Sequence, residues 1–566
     1  MKGRFLSRWS LRATVVCAAI AVTLVTQVPP ASLAVTPLSD GTLAGSLHVH
    51  TDRSDGRFPP EQIAAAAARA GLQFIVLTDH GDGTRVPDPP VYRSGVLCID
   101  AVEVSTSGGH YIALGMSPAP YPLGGEPRDV VEDVNRLGGF GVAAHPDSPR
   151  PELEWRDWTA PIDAVEWLNL DTSWRVHLAD GWRQRLGLAA ALFKYPIRPT
   201  ETLASLIDHP DATIARWNVA AKERRVVVTA GSDAHGAIAL RGLTSQDAAQ
   251  YRLPFPGYES SFRALSVRVT PDRPLSGNAG MDAAIVERAI RAGHLYIATD
   301  GVASPPSLQF TATNERGTAA QGDEIPIGGQ IALRVRTNAP DGFSTVVYKD
   351  EAVWTTDHRR DFTVSGGNGP GVFRLEVRSD RPWLYSNPIY VGERTPPRRL
   401  DSVPATGSMP LFEAETTGWR LESDDASTRA VDIAPVGDRH DLRFTFGLAG
   451  GQAANQMVAL VRLIPKHLDG YDRLTFTARA DQPMRMSVQL RVSDERHPLH
   501  RWQRSVYIDT TERESTLFLN QFTAVVGSEP HPPLDRVDSV MFVVDTTNTR
   551  PGSSGRIWLR AAALGR

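Results

Sequence analysis

The chain has 566 residues, 41% hydrophobic and 22% charged, with a formal net charge of −4. That length exceeds what one core can serve and implies roughly two to four domains. The acidic balance, with no dense Lys/Arg run beyond the extreme N-terminus, argues against a general nucleic-acid binder.

Lys2, Arg4, Arg8 and Arg12 precede an apolar stretch from Ala13 to Val25, and Pro29, Pro30 and Ala31-Ser32-Leu33-Ala34 follow. A basic start, an apolar core and small residues before a break describe a signal peptide over residues 1–34, cut near Ala34. The expectation is a secreted, periplasmic or cell-envelope protein. The apolar core is shorter than the roughly 20 residues of a membrane span, and no second such stretch occurs. Removing Cys17 with the signal leaves Cys98 alone, so the mature chain has no internal disulfide, and Cys98 reads as a core residue.

Residues 45–300 alternate β-like runs with helical stretches. The runs are Gly45–His50, Phe74–Thr78, Val96–Ser105, Tyr111–Met116, Phe140–Ala144, Ala164–Leu168 and Arg225–Ala230. Pro60–Gly71 and Pro127–Gly138 read as helices with proline in the first turn and glycine at the stop. This alternation predicts an α/β domain with a parallel sheet or barrel. Leu178–Lys222, helical and rich in Trp and Arg, reads as an insertion near the barrel mouth, and Asp282–Ala292 as a last helix. From about Pro305 alternating runs such as Gln330–Thr337 and Phe373–Val377 predict a small β-sandwich ending near Val391. Thr395-Pro396-Pro397-Arg398-Arg399 reads as a linker. Residues 410–566 read as a second, jelly-roll-like sandwich. The expected domains are therefore 40–303, 304–394 and 410–566, with a linker at 395–409.

Nearly every β-run of the first domain ends in a potential ligand: His48-Val49-His50, Asp55, Thr78-Asp79-His80, Glu103, Gly109-His110, Ala144-His145-Pro146 and Ser232-Asp233-Ala234-His235. His48 and His50, two apart on a strand, are expected to share a face, and Asp233 and His235 to repeat that geometry. A lone buried His is usually a hydrogen-bonded core residue, and His177 and His209 read that way. Asp55-Gly56 alone would be a turn. As a set the acids and imidazoles are costly to bury without a partner, and a mixed His/carboxylate donor set suits Zn, Mn or Fe.

These motifs, in this order, resemble the PHP (polymerase and histidinol phosphatase) superfamily over roughly residues 45–300. The signal peptide, the Gly293 segment and Ser386-Asn387-Pro388-Ile389-Tyr390-Val391 are similar to the CehA/McbA-type metallohydrolases within it. The resemblance implies a distorted (β/α)7 barrel with two or three divalent ions. One ion would be held by His48, His50, Glu103 and Asp233. A second would share Glu103 and add His110 and His145, and a third would use Asp55, His80 and His235.

The expected activity is ester hydrolysis by a metal-bridging hydroxide, with a small phosphomonoester or phosphodiester as substrate. Carbamate or amide hydrolysis is the alternative, since the subgroup includes an aryl carbamate hydrolase. Asp79 reads as a proton shuttle, or equally as an orienting group. Glu166, Asn169, Arg175 and Lys194, with Trp174, are candidates for contacting substrate, and packing or solvated roles are as well supported. The last sandwich resembles galactose-binding-type or carbohydrate-binding modules. Trp419, Trp502, Tyr507 and Asp545 could form a sugar or cell-surface site, which would make the chain a binding protein with a vestigial metal site. On the hydrolase reading, residues 400–566 are dispensable for turnover of small soluble substrates.

Overall fold

A computed structural model of the protein describes residues 29–38, 41–239, 252–253, 255–393, 406–412, 416–436, 439–452, 456–464, 468–493, 500–526 and 529–566. Most of the expected signal peptide and the Thr395–Arg399 linker lie outside the described residues. Leu33–Ala34, at the expected cleavage point, pair in parallel with Ala303–Ser304. No helix among the described residues is long and apolar enough to cross a membrane.

The first unit is a mixed α/β layer built on the strand Leu43–Val49, every residue of which is buried. It pairs in parallel with Phe74–Leu77 and with Val227–Ala234. Phe74–Leu77 continues in parallel to Val96–Asp100, and Val227–Ala234 to Ala164–Asn169 and then Phe140–Ala143. The next two strands break the parallel pattern. Gly109–Leu114 runs antiparallel to both Phe140–Ala143 and Val102–Thr106. A single parallel bridge, His80 to Glu103, joins that hairpin to the end of the second strand, and the sheet closes on itself.

The expected long run Val96–Ser105 is therefore two strands that part at Ala101. The helix Pro60–Ala70 stops at Gly71, whose φ of 82° is the left-handed cap that glycine supplies at no steric cost. The last helix, Ala279–Arg291, begins earlier than expected because the Asn278 side chain accepts a hydrogen bond from Met281 N and caps it. Residues 170–223 supply four helices: Leu170–Ala179, Trp182–Lys194, Pro199–Ala204 and Asp211–Glu223.

The second unit shares hydrogen-bonded sheet with the first: Leu295–Ala298 pairs with Pro382–Ser386. A separate four-stranded sheet covers it, and Phe310, Leu333, Phe373 and Trp383 fill the space between. Asn387 ties the two units together. Its Oδ1 accepts from Val228 N at 2.8 Å, and its Nδ2 donates to Val228 O and Leu295 O at 2.7 and 2.9 Å.

The last unit is a sandwich of two six-stranded sheets around a core including Phe444, Leu490, Trp502 and Phe542. Its first strand, Ser408–Pro410, pairs with the last, Ser554–Gly565, so the sandwich begins within what reads as linker. Trp502 is fully buried in the core, which removes it from a sugar-facing surface, and Trp419 is half-buried against that core. Tyr507 lies under the Arg136 guanidinium, 3.6 Å from its ring centre, and so faces the first unit.

Candidate metal centre

The ends of the parallel strands converge on one cluster of imidazoles and carboxylates, and irregular backbone does the converging. The strand Leu43–Val49 stops before His50, and His48 within it has φ 63°. The register with both neighbouring strands shifts between Ser46 and Val49, so His48 sits in a bulge. The expected alternation of a flat strand is thus not what turns His48 and His50 to the same place. Asp233 likewise lies inside its strand, at φ 46°, where the register shifts between Gly231 and Ala234. His145 adds φ 31°. Left-handed backbone outside glycine costs about 1–3 kcal/mol per residue and gathers at functional sites.

Four atoms define the innermost group. Glu103 Oε2 lies 3.3 Å from both His48 Nε2 and His50 Nε2, and Asp233 Oδ1 lies 3.4 and 3.3 Å from the same two nitrogens. These four separations match the roughly 3.3 Å between donors about 2.0 Å from a tetrahedral ion, and the mutually close sets include His48, His50 and Asp233, and His48, Glu103 and His145. His48 Nε2, His50 Nε2 and Glu103 Oε2 are buried and make no hydrogen bond. Such atoms are costly to bury unless something binds them. The donor set therefore fits a divalent cation on geometry and on chemistry.

Glu103 extends the cluster. Its Oε1 is 2.8 Å from His110 Nδ1 and 3.0 Å from His145 Nε2, while Oε2 is also 3.1 Å from His80 Nδ1. One carboxylate so touches five imidazoles, an arrangement suited to bridging two cations. On the outer side Asp55 Oδ2 approaches His235 Nε2 at 3.1 Å and His80 Nε2 at 3.7 Å. This edge is the accessible one: Asp55 is 50% exposed and His80 35%, whereas the four inner residues are at most 7%. The sequence-identified residues His48, His50, Asp55, His80, Glu103, His110, His145, Asp233 and His235 thus form overlapping groups of three and four potential ligands.

Burial works against ionisation throughout, and the neighbouring charges overcome it. Despite full burial, His48, His110 and His145 hold the Glu103 carboxyl well below its ordinary range. Asp233 is held well below its own by His48, His50 and His235. In turn, despite burial, the carboxylates push His48 well up and His50 to about 9. Without an ion the cluster thus favours protonated imidazoles, and a cation would displace those protons.

Residues behind the ligands fix them. Glu166 Oε1 is 2.8 Å from His48 Nδ1, and its Oε2 accepts from His145 N and Asn169 Nδ2 at 2.8 and 2.9 Å. This places the His48 ring proton on Nδ1 and leaves Nε2 as donor to the cluster. His145 is set in the same way, with Nδ1 2.9 Å from Leu153 O. Gly231 is required here, since a Cβ on it would lie 1.9 Å from Glu166 Oε1. Asn169 also caps the helix Leu170–Ala179, accepting from Thr172 N. Glu166 and Asn169, read from sequence as substrate contacts, therefore have their polar atoms engaged in supporting the ligands.

Asp79 is likewise engaged. Its Oδ1 accepts from Thr51 N and Ser54 Oγ, and its Oδ2 from Thr51 Oγ1, at 2.6–2.8 Å. It anchors the turn that carries Asp55, an arrangement that matches the orienting one of its two expected roles. Arg175 pairs with Asp171 and lies over the Trp174 ring. Burial weakens its charge, while Asp171, then Asp233 and Asp55, support it, so Arg175 is within electrostatic reach of the cluster. Lys194, half-buried in the last turn of its helix, pairs with no carboxylate among the described residues. A cleft of about 540 Å³ borders His145, Glu166 and Asn169. Its wall includes Asp208 and His209, and His209 reaches Glu376 of the second unit at 3.1 Å. Neither lies in a motif, and their place in the wall depends on a distant strand.

No family model matches the chain. A curated relative, the uncharacterized protein MJ1587 of Methanocaldococcus jannaschii, is 28% identical over 141 residues, 22% of this chain and 82% of the relative. Among solved structures, a two-domain protein of Bacteroides vulgatus is a neighbour over 63% of this chain and 99% of its own. It is described as containing a predicted PHP-like metal-dependent phosphoesterase, and it aligns at 15% identity and a TM-score of 0.29. A family 11 carbohydrate-binding module of Clostridium thermocellum matches over 28% of this chain and 96% of its own, at 14% identity and a TM-score of 0.24. At TM-scores this low neither likeness bears on function, and the functional case rests on the geometry of the cluster.

Proposed function

We propose that the protein is a secreted metal-dependent hydrolase of the PHP superfamily, similar to its CehA/McbA-type members, acting on small phosphoesters. The observation that carries this is the four-atom group of His48, His50, Glu103 and Asp233, with donor spacings of 3.3–3.4 Å and unsatisfied buried atoms. On this reading His48, His50, Glu103 and Asp233 hold one ion, Glu103, His110 and His145 a second, and Asp55, His80 and His235 a third, within a distorted (β/α)7 barrel. Bound divalent ions, Mn, Zn or Fe, would supply the Lewis acidity that activates water and offsets charge on phosphoryl oxygens.

The chain's own residues do the rest. Glu166 and Leu153 O hold the His48 and His145 rings in their ligating orientation. Asp79 holds the Thr51–Asp55 turn, so that Asp55 stays at the accessible edge. Arg175, whose charge is supported by Asp171 and then by Asp233 and Asp55, would meet an anionic substrate. The test is turnover of p-nitrophenyl phosphate and bis-p-nitrophenyl phosphate by protein loaded with Mn, Zn or Fe, beside His48→Ala. Metal-dependent turnover that His48→Ala abolishes supports the reading, and the preferred ester separates monoesterase from diesterase. Absent turnover of both esters in metal-loaded protein would transfer the site to carbamates or amides.

A further inference from the structure

The C-terminal sandwich reaches the metal cluster through a chain of contacts that begins at its Asp545–Arg550 turn. Asn548 Nδ2 donates to Pro122 O at 3.0 Å and Gly124 O at 3.2 Å. The Gly124–Gly125 loop is held between two layers. A Cβ on Gly124 would have Thr547 O at 3.6 Å on one side and Ser105 O at 4.0 Å on the other. A Cβ on Gly125, where φ is 84°, would meet the Thr547 methyl at 3.1 Å. Gly125 O then accepts from Ser107 N at 2.8 Å, in the turn between Val102–Thr106 and Gly109–Leu114. Those two strands carry Glu103 and His110, and Ser105 Oγ lies 3.3 Å from His110 Nε2.

A second limb leaves the same turn. Arg550 Nη2 donates to Thr84 Oγ1 at 2.7 Å, Thr84 Oγ1 donates to Asp82 Oδ1 at 2.7 Å, and Asp82 follows His80 by two residues. Leu123 N donates to Asp82 O at 2.8 Å and joins the two limbs.

The docking behind this turn is charged and buried. Arg485 meets Asp133 at 2.8 Å and Asp129 at 3.1 Å, with the Arg485, Asp129 and Asp133 side chains at most 2% exposed. Arg504 and Ser505 also bond Asp129. A freely tethered substrate-targeting module has no need of such an interface, because a buried ion pair is stabilising only while both partners stay together.

From these contacts we infer that the C-terminal sandwich is a positioning domain for the metal cluster, with Asn548 as the positioning residue for the Glu103–His110 hairpin. The inference rests on the metal-centre reading for its purpose, but the mechanical link is readable without any metal. It also reverses the expectation that residues 400–566 can be dispensed with.

The test uses the full chain free of metal, by hydrogen exchange read on peptides. Asn548→Asp replaces the donor with an acceptor facing two carbonyls. It is expected to speed exchange of 103–110 and 122–126 about tenfold or more while leaving 43–50 unchanged. Asn548→Gln, which keeps an amide donor, is expected to restore part of the protection. Arg550→Ala, at an exposed pair, serves as a second variant and is expected to speed 80–84. Mn(II) alone is then titrated by calorimetry, and the weakest equivalent is expected to fall about tenfold in Asn548→Asp. Unchanged exchange at 103–110 in Asn548→Asp overturns the inference. So does an equal effect from Arg443→Ala, which breaks only an exposed pair with Asp432 on the far sheet. Wild-type protein that binds no Mn, Zn or Fe would instead overturn the hydrolase reading, and the exchange result would still stand.

Discussion

Glu166 stands directly behind His48, its Oε1 2.8 Å from Nδ1, and both groups are at most 1% exposed. The pair fixes which nitrogen of His48 faces the cluster. Removing such an orienting carboxylate typically weakens metal binding 10–100-fold. Glu166→Ala should therefore lose about that much affinity in a metal titration, and Glu166→Gln, which keeps an acceptor but no charge, less. Equal affinity for all three proteins would mean that His48 is oriented by something else.

Gly231 leaves room for that carboxylate. Gly231→Ala would set a Cβ 1.9 Å from Glu166 Oε1 and 3.0 Å from His48 Cβ. Overpacking of this kind costs about 1–3 kcal/mol. The variant should unfold at lower denaturant in the presence of chelator and also bind metal more weakly. A variant as stable as wild type would show that Glu166 can move aside freely.

The interface beneath the sandwich should titrate. Burial, with Asp129 beside it, pushes the Glu126 carboxyl from 4.5 to about 8. Arg485 and Arg504 meet Asp129 directly, and Arg504 also feels the Glu126 charge. The folded protein thus keeps a proton that the unfolded chain releases near 4.5. Glu126 contributes its stability fully below about 4.5, and that contribution is lost as pH rises through about 8. Denaturation midpoints compared at pH 5 and pH 8 should differ less in Glu126→Gln than in wild type. An identical pH dependence would rule out a proton on Glu126.

Arg485 gives the sharpest stability test. Its guanidinium is buried against Asp129 and Asp133, so Arg485→Ala takes a shared cation from two buried carboxylates and leaves Asp129 with Arg504 and Asp133 with Arg136. Breaking a buried pair from one side costs about 3–5 kcal/mol. Replacing Arg485, Asp129 and Asp133 together with apolar residues of similar volume should recover much of the loss. A loss below about 1 kcal/mol for Arg485→Ala, read from urea unfolding, would show the interface to be wet.

The candidate ligands were legible in the sequence because most of them close a β-run, and the structure brings the nine into overlapping groups. The geometry that joins them was not. Same-face alternation was expected to align His48 with His50, yet a bulge and a positive φ do it, and neither leaves a mark in residue type. Glu166 read as a substrate contact because its position at a strand end is all that sequence shows. Its partner His48 is 118 residues away. The Ser386–Val391 segment carried a family likeness without a reason, which Asn387 now supplies by bonding Val228 and Leu295 across the shared sheet. Trp502 was ambiguous between sugar surface and core, and strand parity in a two-sheet sandwich turns it inward. The docking of Arg485 on Asp129 and Asp133 spans more than 350 positions and has no local signature.

Three candidate ligand positions, His48, His145 and Asp233, hold backbone that L-residues resist. Glycine would relax each one and at the same time delete a donor. On the proposed function, folding and metal capture therefore make opposite demands at the same three sites. A library selected only for thermal resistance, with chelator present, should enrich glycine there and return sturdy proteins with nothing left to hold an ion. On the proposed function, selection on turnover should hold these positions as they are, and three dihedral angles would then set the tension between durability and activity.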